Sequence, residues 1–333
     1  MGLAVAPRAR IGEVVVMDAT RITGVLPEED GHWVAWEAWG DPDAPALLIL
    51  HGGPGGGISD GHRALFDPKD WRIVAMDQRG CGRSRPHAGE DLAALDANTT
   101  DHLIHDIERL RVHLGIDAWA VFGGSWGATL AQAYTHAHRS RVLGLLLVGV
   151  TQCRAEETDW LYGHAGQLLP EAFAAYQAGA PEGRPGLGLV QAYLARLRDP
   201  DRAEAAAKAW CAWEAAVVAT DPRHMPSTRW QDPVFRLGFA RLCAHYFSKH
   251  CWLEPSLDRR AAALGDLPGE LAHSALDLSA PLATAWQLDR DWPGARLTVL
   301  PGGIHSAAEG DVAVATRAAA DRLKERLGPA HAK

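Results

Sequence analysis

Val121-Phe122-Gly123-Gly124-Ser125-Trp126-Gly127-Ala128 is an apolar run that breaks into glycines, presents one serine and resumes as an Ala/Leu-rich segment. The spacing of Gly123, Ser125 and Gly127 predicts a strand, a sharp turn and a helix. Such a strained turn holds a hydroxyl clear of the backbone only where its neighbours lack side chains, and the two glycines meet that need. Ala118 to Phe122 predicts the buried strand, and Ala128 to Ala137, with Leu130 and Tyr134 four apart, predicts the helix. A glycine-rich turn without chemistry has the same local pattern, so the rest of the chain must decide.

Upstream, Ala46 to Leu50 is a continuous apolar run of the kind a central strand shows, and it runs into His51-Gly52-Gly53-Pro54-Gly55-Gly56-Gly57. No GxxxxGK[ST] is present, and Ile58 stands where the last glycine of GxGxxG would fall, which argues against a phosphate cradle. The loop reads instead as backbone N–H groups bared toward a reacting oxygen, as after the third strand of serine hydrolases. Arg72 to Met76 predicts a strand closed by Asp77-Gln78-Arg79-Gly80-Cys81-Gly82-Arg83-Ser84, a turn knitted by charged side chains. Val14 to Met17 and the alternating His32 to Glu37 predict two early strands at a sheet edge. Leu103, Ile107, Leu110 and Leu114 make one helical stripe with Gly115 as its stop, and Val142 to Val148 predicts a further buried strand. Alternating strands and helices, with glycine loops at strand carboxyl ends, predict a mostly parallel sheet that binds ligands along that edge.

After Thr151 the character changes. Arg202 to Val218 and Val234 to Phe247 are helical stretches, and no buried strand is evident before Leu264. The expected organisation is a core from residues 1–151 and 265–333, with residues 152–264 inserted as a helical cap. Strands resume at Glu270 to Ala275 and Arg296 to Leu300, with helices around Leu282 to Leu288 and Asp311 to Leu327. Asp277 follows the first of these strands, and His305 lies in the loop Pro301-Gly302-Gly303-Ile304-His305-Ser306 after the second. Nucleophile, acid and base thus arrive in the order Ser125, Asp277, His305, each at the sheet's carboxyl edge. Asp266 precedes its strand and Asp289 lies within a helical stretch, so both are weaker candidates.

Composition bounds the function. The 333 residues carry a formal net charge of -8, 47% hydrophobic residues and 22% charged residues, with a mean hydropathy of -0.14. That describes an ordinary globular protein without the basic face that nucleic acid requires. Five cysteines without CxxC spacing predict reduced thiols and a cytoplasmic protein. Met1 to Ile11 has no signal-peptide core, Ala6 departs from the myristoylation motif that Met1-Gly2 suggests, and Val142 to Val150 is too short to span a bilayer. Neither a membrane partner nor a metal or other cofactor is expected, since HExxH and Cys/His clusters are missing.

The glycine loop His51 to Gly57, the stretch Asp77 to Pro86, Asn98-Thr99-Thr100 and Gly123-Gly124-Ser125-Trp126-Gly127 together resemble the proline iminopeptidase (prolyl aminopeptidase) family of α/β hydrolases. The similarity is dense from Gly31 to Val150 and continues in patches such as Ala209 to Glu214 and Phe239 to Phe247. The resemblance implies an α/β-hydrolase fold, Ser125, Asp277 and His305 as the triad, and the Gly53 and Trp126 amides as the oxyanion hole. It assigns Glu214 to the substrate's α-amine, a cation of pKa near ~8 for which a buried carboxylate is the natural partner. The chain also departs from the family. Ser274-Ala275-Leu276 replaces the glycine-arginine-aromatic run before Asp277, and Cys243 stands where a second glutamate is expected. Thr151 replaces an aromatic of the pyrrolidine pocket. Two substrates fit: a peptide with N-terminal proline, or a non-peptide molecule carrying an aminoacyl amide. A general esterase and a noncatalytic binding protein of the same fold are the alternatives. A dehalogenase or epoxide hydrolase would carry Asp in place of Ser125.

Overall fold

The structure, a computed structural model, describes residues 15–18, 21–219, 221, 224 and 227–328. The Met1 to Ile11 segment and Val14 lie outside the described residues. Among the described residues nine strands, β1 (Val15–Asp18), β2 (Arg21–Val25), β3 (Ala35–Gly40), β4 (Ala46–Leu50), β5 (Arg72–Met76), β6 (Trp119–Gly124), β7 (Val142–Val148), β8 (Gly269–Ser274) and β9 (Leu297–Leu300), form one sheet. Its order is β1-β2-β3-β5-β4-β6-β7-β8-β9. The pairings of β1, β2 and β3 are antiparallel, and all pairings from β5 to β9 are parallel. This is an α/β-hydrolase fold.

The apolar strands are continuous because both faces of the sheet are covered. Leu48 and Leu50 of β4, Val121 of β6 and Leu145 and Leu147 of β7 enter one core. Leu47, Ile49, Phe122, Leu146 and Val148 enter the other. Helices α2 (Thr100–His113) and α3 (Trp126–Ala137), which follow the short α1 (Asp60–Arg63), close the first face, and the last helix, Gly310–Leu327, closes the second through Val312, Ala319 and Leu323. Each such aliphatic side chain contributes about 1.5–3 kcal/mol by leaving water.

The edge departs from the expected strands. β2 has no apolar alternation, and β3 starts at Ala35 rather than His32, with Trp33 held by a single bridge to Arg85. Gly24 of β2 pairs with Trp36 of β3 and leaves room for its ring: a Cβ there would meet the indole at 2.5 Å.

Between β7 and β8 the chain is helical, with α4 (Ala155–Leu161), α5 (Pro170–Ala178), α6 (Leu187–Arg198), α7 (Ala203–Val218) and α8 (Pro233–Phe247). Residues from Tyr162 to Ala244 build a third, aromatic-rich core of their own. Leu253, Leu257, Ala261 and Leu264 pack instead into the first core of the sheet.

The Ser125 turn depends on two close approaches. A Cβ on Gly123 would lie 2.2 Å from the Gly127 carbonyl oxygen, and one on Gly127 would lie 2.1 Å from the Leu50 carbonyl oxygen. Both obstacles are backbone, so no rotamer change relieves them. Gly127→Ala is therefore expected to destabilise the fold by about 3 kcal/mol; an unchanged urea midpoint would contradict this packing.

Candidate active site

β4 and β6 are neighbours where the strand order reverses, the crevice in which open α/β sheets bind ligands at their carboxyl ends. The glycine loop leaves β4 and Ser125 follows β6 at that crevice. Ser125 adopts φ 56°, ψ -125°, a left-handed conformation that costs a non-glycine residue about 1–3 kcal/mol. Its backbone is secured on both sides: N–H donates to the Val148 carbonyl at 2.9 Å, and C=O accepts from Ala128 N at 2.8 Å and Thr151 Oγ1 at 3.1 Å.

Asp277 and His305 arrive on loops that the two last parallel strands bring together. Ala275 N donates to Leu300 O, Leu276 N to Gly302 O, and Ser274 Oγ to Ile304 O at 2.6 Å. His305 Nδ1 then lies 2.6 Å from Asp277 Oδ2. The other carboxylate oxygen accepts from Ser279 N at 2.9 Å and Ala280 N at 3.0 Å, which fixes the rotamer. Burial disfavours the imidazolium, but the charge and hydrogen bond of Asp277, with Glu214 adding, outweigh it and raise the His305 pKa above its ordinary value. His273 braces this corner from beneath: its Nδ1 accepts from Val150 N at 3.0 Å, and Nε2 donates to Ala280 O at 2.7 Å, which assigns the neutral tautomer.

Ser125, His305, Glu214, Gly53, Trp126 and Thr151 all line one cavity of about 240 Å³, walled by Leu161, Tyr162, Val218, Trp230, Phe239 and Phe247. Among the described residues, no hydrogen bond joins Ser125 Oγ to His305. Free enzymes often show such long contacts, which close only around the reacting group. The Gly53 and Trp126 amides also lack a protein acceptor among the described residues, the second because it opens α3.

Glu214 projects from α7, and Tyr162 donates to its Oε1 at 2.8 Å. Burial pushes the carboxyl up to about 7, against the pull of the Tyr162 hydrogen bond and the charge of His305. Cys243 does not line the cavity. It is 1% exposed within the helical core, and its thiol donates to the Pro54 carbonyl at 3.3 Å, so the expected pocket role gives way to packing. Glu157 of α4 is a cavity residue that the sequence did not single out; its oxygens are occupied by Arg154, Thr284 and Gln152 N. The Asp77 turn is structural, with Asp77 accepting from Ile58 N and Arg83, and Arg79 buried in a bidentate pair with Asp106.

No cluster of metal-ligating side chains and no helix long and apolar enough to cross a membrane occurs among the described residues.

The family described as having the alpha/beta hydrolase fold matches residues 45–311. A proline iminopeptidase from Xylella fastidiosa is 42% identical over 86% of this chain and 91% of its own length. One from Arabidopsis thaliana is 38% identical over 92% of this chain and 80% of its own. Among solved structures, a proline iminopeptidase from Mycobacterium smegmatis superposes with a TM-score of 0.63 at 19% identity, covering 92% of this chain and 98% of that one. A haloalkane dehalogenase variant from Bradyrhizobium elkanii reaches 0.65 at 17% identity, covering 93% and 100%, so these two likenesses speak for the fold alone.

Proposed function

Because this chain belongs to the proline iminopeptidase family of α/β hydrolases, we propose that Ser125, His305 and Asp277 in it release the N-terminal aminoacyl residue of a small peptide or amide. Membership makes the chain a serine hydrolase that cleaves after an N-terminal aminoacyl group. The observation carrying the residue assignment is that one cavity is lined by Ser125, by the imidazole paired with Asp277, and by the half-buried carboxylate of Glu214.

In the proposed mechanism, His305 Nε2 takes the Ser125 proton as Oγ attacks the carbonyl carbon. The imidazolium so formed is held by Asp277, and the Gly53 and Trp126 amides receive the developing oxyanion. The imidazolium returns its proton to the leaving amine, and water then releases the acyl group by the same route. The helices that build the core from Tyr162 to Ala244 act as a cap that carries Glu214 over the serine, while Leu253 to Leu264 belong to the packing of the sheet. Thr151 widens the pocket beside Ser125 where the family places an aromatic, which favours a second reading: an aminoacyl amide on a larger, non-peptide leaving group. The five buried free cysteines favour a reducing, cytoplasmic setting.

Glu214 provides the test. With a carboxyl at about 7 and a substrate amine near ~8, one proton shared between them gives an ion pair over the intervening pH range. KM for a free-amine anilide should fall as pH rises through about 7 and climb again as the amine deprotonates. Glu214→Gln should remove the lower limb and raise KM by roughly 30- to 10³-fold, the cost of losing a buried charge-assisted partner. Hydrolysis of an N-acylated ester by the same variant should stay near the parent rate. Equal KM values for parent and variant on free-amine substrates would remove Glu214 from recognition and return the esterase reading.

A further inference from the structure

Gln78 follows β5, and its side chain is 2% exposed. Its amide reaches both segments that carry the proposed oxyanion donors. Nε2 donates to the His51 carbonyl at 3.0 Å, and Oε1 accepts from the Trp126 indole N–H at 2.8 Å. The Gln78 backbone N–H adds a third tie, donating to His51 Nε2 at 3.1 Å. Burial drives the His51 pKa down to about 4, so the ring is neutral and able to accept. The Trp126 ring is clamped from the other side by Tyr246 of α8, edge-on at 4.9 Å, whose hydroxyl donates to Asn98.

We infer that Gln78 is a positioning residue that sets the spacing between the Gly53 and Trp126 amides. One arm of its side chain holds the peptide entering Gly52, and the other holds the ring of the residue whose N–H opens α3. An amide suits this place because it is donor and acceptor in one plane, whereas a carboxylate offers two acceptors. The inference rests on the oxyanion reading proposed above. Amides aimed at the oxygen of a tetrahedral carbon act on the transition state more than on the planar substrate. Loosening the clamp therefore affects kcat and the binding of tetrahedral analogues, while substrate binding at Glu214 persists.

The test compares the parent, Gln78→Leu, Trp126→Phe and the double variant on a free-amine anilide and an aminoacyl boronate. Gln78→Leu should lower kcat on the order of 10²-fold, the cost of misplacing reacting groups by about an ångström. KM should change by no more than about threefold, the boronate inhibition constant should rise in step with the kcat loss, and the acid limb of kcat should stay in place. Trp126→Phe keeps the backbone amide and loses the indole donor, so it should show part of the same loss. The double variant should lose little beyond Gln78→Leu, because both changes open one link. Unchanged kcat, unchanged boronate affinity, or a kcat loss matched by a rising KM would overturn the inference. Should Gln78→Leu not fold, the same readings on Trp126→Phe decide it. Failure of the serine reading is a separate result, seen as turnover that survives Ser125→Ala.

Discussion

Ser125→Ala should lower hydrolysis of a free-amine anilide by about 10⁴- to 10⁶-fold, leaving the background that binding and the oxyanion donors supply. The loss should fall on kcat, since the change leaves Glu214, the proposed partner of the substrate amine, in place. Stability should barely change. The Ser125 hydroxyl makes no hydrogen bond among the described residues, and alanine at φ 56° carries the same backbone strain as serine. Denaturation midpoint, kcat and stoichiometric labelling by a serine phosphonate check these three statements. A variant within about tenfold of the parent in kcat would place the chemistry elsewhere.

Asp277→Asn should cost about 10⁴-fold in kcat although the change is isosteric. The direction in which the new amide faces is set by the site. Ser279 N and Ala280 N both donate to Asp277 Oδ1, so the asparagine oxygen must stay there and its NH2 must turn toward His305 Nδ1. Nδ1 then accepts, the ring proton moves to Nε2, and the nitrogen that should take the serine proton is blocked. The pH profile separates this from a simple loss of packing. Asp277 raises the His305 pKa against the opposing effect of burial, so without its charge that pKa falls. Activity requires the neutral ring, and hence the residual acid limb should shift to lower pH. A limb that stays in place with kcat near the parent value would show that Asp277 does not act on His305.

Legibility in the sequence followed burial on both faces. Ala46 to Leu50, Ile73 to Met76 and Val142 to Val148 carry no polar side chain because alternate residues enter different cores, and these runs lie within observed strands. β2 escaped notice because Arg21-Ile22-Thr23-Gly24-Val25 takes its meaning from Trp36, a residue on another strand. Cys243 and Glu214 show the same limit within the site. Both lie on helices of the insert, yet only Glu214 lines the cavity, since helix packing decides which face points inward. Gln78 was visible as one letter of a turn, but its two partners come from distant segments that meet only across the sheet.

The placement of the helical insert between β7 and β8 has a consequence for biosynthesis. A chain made from its amino terminus can complete the Ser125 turn while Asp277 and His305 remain unmade, because the whole insert and two further strands follow. On the roles proposed for these three residues, the nascent chain would carry its nucleophile before its base, and activity would await the docking of β8 and β9. Phosphonate titration of Ser125 consequently counts finished molecules and passes over truncated or half-assembled ones.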